Sequence, residues 1–145
     1  MVRRVAWILV IAGVVPFAGS TIALLWGDSH IRIPAIAALV TYAAILLSYL
    51  GGIEGGLALR EQFGTETTRA VALGLSGVPS LAAWGILWLP SPQMQLGAAT
   101  ALFVIVWMAD LWAARLGLIP SWWVDARTAA TAVAAAILGV ALYLL

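Results

Sequence analysis

The chain has 145 residues, of which 64% are hydrophobic and 9% charged, with a formal net charge of +1 and no cysteine. A soluble domain carries about 25% charged residues to cover its surface, so a water-soluble globule is excluded. The near-neutral balance argues against nucleic acid or another strongly acidic partner, and the missing cysteines rule out disulfides, thiolate metal sites and cysteine nucleophiles.

Apolar runs of about 20 residues, enough to span a ~30 Å hydrocarbon core, alternate with short polar breaks. They predict one transmembrane domain over 1–145, with helices near 5–26, 34–59, 70–90, 94–114 and 124–145. The first run follows Arg3-Arg4 and passes Ala18-Gly19-Ser20, a combination that resembles a cleavable signal. It continues to Trp26, too long for a signal core, and reads as a retained helix. Pro16 predicts a kink near mid-membrane, because proline removes a backbone donor and crowds the preceding turn.

After the break Gly27-Asp28-Ser29-His30-Ile31-Arg32, the second run carries Ser48, Gly52 and Gly56 at spacings of four, with Gly51 and Gly55 one step round. Small residues so spaced let helix backbones approach closely, either between two copies or within one chain. Arg60 to Arg69 forms the next break, with Glu61, Glu66 and Arg69 read as a wet loop. The third run holds Pro79, a second predicted kink. Its Gly77-Val78-Pro79 before Trp88 echoes Gly13-Val14-Val15-Pro16 before Trp26, either as a distant internal copy or by chance. Pro90-Ser91-Pro92 leads to the fourth run, and Arg115 to Trp123 to the fifth. Trp122-Trp123, after Pro120, are expected along the membrane surface ahead of that last helix.

No run alternates polar and apolar residues, which excludes a β-barrel. In lipid the backbone must then be satisfied within each segment, as a helix. The fold class is an all-α integral membrane five-helix bundle. With the N-terminus cytoplasmic and the C-terminus outside, Arg3, Arg4, Arg60, Arg69, Arg115 and Arg127 fall inside and Arg32 alone outside, as the positive-inside rule requires. A lysine-free, alanine-rich composition suggests a GC-rich bacterial genome.

Charges within the spans are the most informative feature, since each costs several kcal/mol on lipid. Glu54 lies six positions before Arg60 and Asp110 five before Arg115. Each acid is therefore about 8–9 Å inside its arginine. Arg127 opens the fifth helix at the same face and could neutralise one or both. Such a cluster is either a salt-bridge lock or an entry site for protons or ions. Trp7, Trp26, Trp88, Trp112, Trp122 and Trp123 fall near the predicted interfaces, where indoles anchor helices. Trp84 and Trp107 lie deeper and are candidates to line a pocket for a flat hydrophobic ligand. His30, the one histidine, sits in the outer loop between Asp28 and Arg32, read as solvated charges, and gives no metal or haem site. No nucleophile–base pair or phosphate loop can be assembled, so neither enzyme activity nor a cofactor is expected.

Three stretches carry a family resemblance: Thr41-Tyr42-Ala43-Ala44-Ile45-Leu46-Leu47-Ser48-Tyr49-Leu50-Gly51-Gly52-Ile53, Val78-Pro79-Ser80-Leu81-Ala82-Ala83-Trp84, and Gly117-Leu118-Ile119-Pro120-Ser121-Trp122-Trp123 with Arg127-Thr128. Together with Pro16-Phe17 and Asp110 they resemble the transmembrane protein 69 family of bacteria and mitochondria, over nearly the whole chain. The resemblance implies five helices, an inner membrane and a cluster of Asp110, Arg127 and usually a positive group. This chain departs from it by placing Glu54 and Gly55 where that family has a basic residue and tryptophan.

The sequence thus predicts a small non-enzymatic membrane protein, an accessory or assembly subunit packing against membrane lipids and either a membrane-protein partner or further copies of itself. The alternatives are a proton or small-ion pathway through Glu54 and Asp110, or a binder of quinone, pigment or lipid.

Overall fold

A computed structural model describes residues 1–61 and 64–145. Gln62 and Phe63, inside the predicted break Arg60 to Arg69, lie outside the described residues. The helices are α1 Val2–Trp26, α2 Ser29–Ala58, α3 Glu66–Ser76, α4 Val78–Ile86, α5 Pro92–Arg115 and α6 Ser121–Tyr143, with α3 and α4 sharing one span. All five spans are long and apolar enough to cross a membrane. Every described element is helical.

Several boundaries move from their predicted places, each for a local reason. The break after α1 shrinks to Gly27 and Asp28. The Asp28 carboxylate accepts from the backbone N–H of His30 and Ile31 and starts α2 five residues early. His30 and Arg32 therefore belong to a helix and not to a loop. Arg32 is no merely solvated charge, because its Nη2 donates to the Leu144 carbonyl near the end of α6, at 3.0 Å. A cation there complements the helix C-terminus. Gly27 is needed at this corner, since a Cβ would lie 2.6 Å from Ile31 Cγ2.

The predicted third helix is two helices. Proline cannot donate to the turn before it, and the chain breaks at Gly77, two positions before Pro79. The span stops at Ile86, short of the predicted 90, where Gln95 Nε2 donates to the Leu87 and Leu89 carbonyls. Pro16, by contrast, lies within a helix unbroken from Val2 to Trp26. The Tyr42 hydroxyl donates to Gly13 O at 3.1 Å in the turn before that proline, and the Tyr42 ring packs edge-on against Phe17. Trp122 and Trp123, expected on the membrane surface, form the opening turn of α6, which starts directly after Pro120. Gly117, with φ of +72°, closes α5: its N–H donates to Ala114 O and that of Leu118 to Ala113 O.

Helix α2 is the hub, packing against α1, α3, α4 and α5, while α6 closes the other side against α1 and α5. Phe17, Leu24, Leu39, Leu47, Leu96 and Leu138 fill the core. Outward-facing residues such as Ile8, Ile11, Val15 and Leu81 are apolar and exposed, as expected where the surrounding solvent is hydrocarbon.

Candidate binding site in the arginine-rich half

Glu54 comes from the last two turns of α2, Asp110 from the last two of α5 and Arg127 from the first two of α6. Antiparallel packing of α5 on α6 brings Arg127 Nε to 2.6 Å from Asp110 Oδ2, with both side chains buried. Beside this pair, Trp107 Nε1 donates to Thr128 Oγ1 at 2.8 Å, a second tie between the same two helices. Glu54 lies close enough to interact electrostatically with both Asp110 and Arg127. Its buried Oε1 finds no hydrogen-bond partner among the described residues. Among the described residues the guanidinium hydrogen-bonds to Asp110 and not to Glu54.

Next to the cluster is a cavity of about 100 Å³. α1 contributes Ala6, Val10, Gly13 and Phe17, α2 Leu50 and Ile53, and α6 Ala126, Ala130 and Ala134, so the walls are overwhelmingly apolar. Leu9 and Tyr49, 55% and 53% exposed, stand at its rim on the outer surface of the bundle. Arg127 and Thr131 also line it. They are one turn apart on α6 and so share a face. Arg127 Nη2 and Thr131 Oγ1 are both buried without a hydrogen-bond partner among the described residues. An unmet buried polar group costs about 1–3 kcal/mol, more when charged. Two of the residues around this otherwise oily space thus hold an unmet guanidinium donor and an unmet hydroxyl.

Other residues singled out from the sequence lie elsewhere. Trp84 is exposed and stacks edge-on with Trp88, and Trp107 is turned to Thr128; neither lines this cavity. The cavity's indole is Trp123. Gly51 and Gly55 are buried against the α3–α4 break. A Cβ on Gly51 would collide with Ser76 O, and one on Gly55 would lie 2.8 Å from Ser76 Oγ. Around Gly52 and Gly56 there is open space, and with half-buried Ser48 they form an outward stripe. Thr131 is not among the residues predicted from the sequence, although its spacing of four from Arg127 is a signal for it. The cavity had no signal at all, because it arises from what α1, α2 and α6 leave unfilled.

A family model described as "Protein of unknown function (DUF3429)" matches residues 2–143. No curated protein and no solved structure matches the chain.

Proposed function

The chain belongs to the DUF3429 family of proteins of unknown function, and we propose that it is a non-enzymatic membrane protein that binds a small hydrophobic molecule between α1, α2 and α6. The observation that supports this reading is the buried, partnerless Nη2 of Arg127, a residue that lines an apolar cavity. Binding sites combine apolar walls with a few polar groups that fix orientation, and this cavity has that make-up. Native mass spectrometry of the protein released from a mild detergent should find a bound hydrophobic molecule of constant mass. Ala130→Phe, which fills the cavity and leaves the Asp110 and Arg127 side chains unsubstituted, should lower its occupancy at least tenfold while the protein stays folded. Recovery of the protein empty, with no uptake of added quinone or lipid, would overturn the reading.

Six of the seven arginines favour the half that contains the site or its adjoining loops, which supports placing it in the cytoplasmic leaflet of a bacterial inner membrane. The N-terminus is then inside and the C-terminus outside. The likeness to the transmembrane protein 69 family supports the same membrane, with Asp110 and Arg127 as common ground and Glu54 as this chain's departure. A proton pathway draws less support, because the cavity beside the cluster is apolar and Glu54 is not among its lining residues.

One observation favours an accessory-subunit role as a second reading. The Ser48, Gly52 and Gly56 stripe faces open space, whereas its sister stripe is used within the chain. Small residues on a lipid-facing helix are a common means of close association. Cysteine cross-linking at position 52 in native membranes should then trap a defined partner or a homodimer. Random, concentration-dependent products would count against it.

A further inference from the structure

Size and charge narrow what the cavity holds. At about 100 Å³ it is smaller than the ~150 Å³ apolar cavity that accepts benzene and well below the 300–1,000 Å³ of a site that encloses a whole drug-sized ligand. It therefore encloses no more than one small ring or a short length of chain. The rest of the molecule leaves past Leu9 and Tyr49 onto the lipid-facing surface, where both are exposed.

The charge balance sets the head group. Arg127 is already paired through Nε with Asp110, and Glu54 stands close by, so whether or not Glu54 carries a proton the guanidinium charge is spent. An anionic head would bring a further negative charge to a site that already holds one carboxyl for its one cation, in surroundings that screen little. A plain hydrocarbon would leave Nη2 and the Thr131 hydroxyl unmet. A neutral acceptor oxygen satisfies both groups, since a carbonyl has two lone pairs and can accept from an N–H and an O–H together.

We propose that the ligand presents a neutral carbonyl oxygen to Arg127 Nη2 and Thr131 Oγ1, borne on a single ring or an acyl chain. Quinone rings and acyl esters share this chemistry. The inference rests on the binding reading above, and its test separates the two.

Four probes are added to the detergent-purified full-length protein, and affinity is read by native mass spectrometry: octadecane, methyl octadecanoate, octadecanesulfonate and a decyl-substituted benzoquinone. The ester or the quinone should bind at least tenfold more tightly than both the hydrocarbon and the permanently anionic sulfonate. Whichever of the two leads identifies the source. Thr131→Val keeps the shape and removes the hydroxyl, so it should weaken the preferred probe about 3- to 10-fold, the span of one net hydrogen bond. It should not weaken octadecane, and Thr131→Ser should restore the preference. Tighter binding of the sulfonate, or equal binding of all four, would overturn the carbonyl inference while leaving a hydrophobic site in place. If none of the four binds, and Ala130→Phe changes nothing, the cavity takes no ligand and both readings fall.

Discussion

Between α5 and α6 the helices are tied by side chains that reach across: Arg127 to Asp110 at 2.6 Å and Trp107 to Thr128 at 2.8 Å. Between α2 and the α3–α4 elbow the tie is made by having almost no side chain at all. Gly51 and Gly55 let the Ser76 backbone and hydroxyl come up against the α2 axis. In hydrocarbon there is no hydrophobic drive to hold helices together, and packing and interhelical hydrogen bonds must do it. Each region uses one of these two means. The glycine seam leaves no side-chain donor free at the approach, since the Ser76 hydroxyl donates to the Leu73 carbonyl. The polar seam does, because a guanidinium has five donors and one carboxylate oxygen engages only Nε. The surplus at the polar seam is what gives the neighbouring cavity a chemical preference.

The largest expected effect tests the polar side. Asp110→Leu strands Arg127 in a buried site, and breaking such a pair costs about 3–5 kcal/mol. Unfolding in mixed micelles, followed by circular dichroism, should show a loss of that size. Combining it with Arg127→Met should recover most of the stability, because the penalty lies in the unpaired charge. A double variant as unstable as Asp110→Leu alone would mean that the pair is needed for more than neutralisation.

The glycine side predicts a sharp contrast between adjacent positions. A Cβ at Gly51 meets Ser76 O, a backbone atom that cannot swing away, whereas one at Gly52 meets nothing within 4 Å. Gly51→Ala should cost about 1–3 kcal/mol by overpacking. Gly52→Ala should be neutral or gain up to about 1 kcal/mol from helix propensity. Equal effects at both positions would remove the distinction between an inner and an outer stripe.

The sequence reading could see what depends on composition along one helix. Five spans follow from apolar length, and the grouping of Glu54, Asp110 and Arg127 follows from their equal depth, since a fixed 1.5 Å rise turns position into height. It could not see what depends on rotation about each axis. Depth alone does not say that Trp107 faces Thr128 and leaves the wall of the cavity to Trp123. Nor does it say which of two glycine stripes an elbow will occupy. The cap at Asp28 is legible in principle, since Asp ahead of Ser29 is a strong N-cap signal, but the charged cluster around it has the composition of a loop.

The smallest expected effect sharpens the same comparison. Trp107→Phe removes the indole donor to Thr128 while keeping an aromatic ring between α5 and α6. The Thr128 end of this bond is exposed, so in the unfolded chain within the membrane both groups find other partners. Interhelical hydrogen bonds of this kind average about 0.6 kcal/mol and reach about 1.7. A double-mutant cycle with Thr128→Val should return a coupling near the lower figure, several times smaller than the cost of stranding Arg127. A coupling beyond the upper figure would mean that Trp107 and Thr128, rather than the buried ion pair, hold α5 to α6. The guanidinium would then have no structural duty that fixes it beside the cavity.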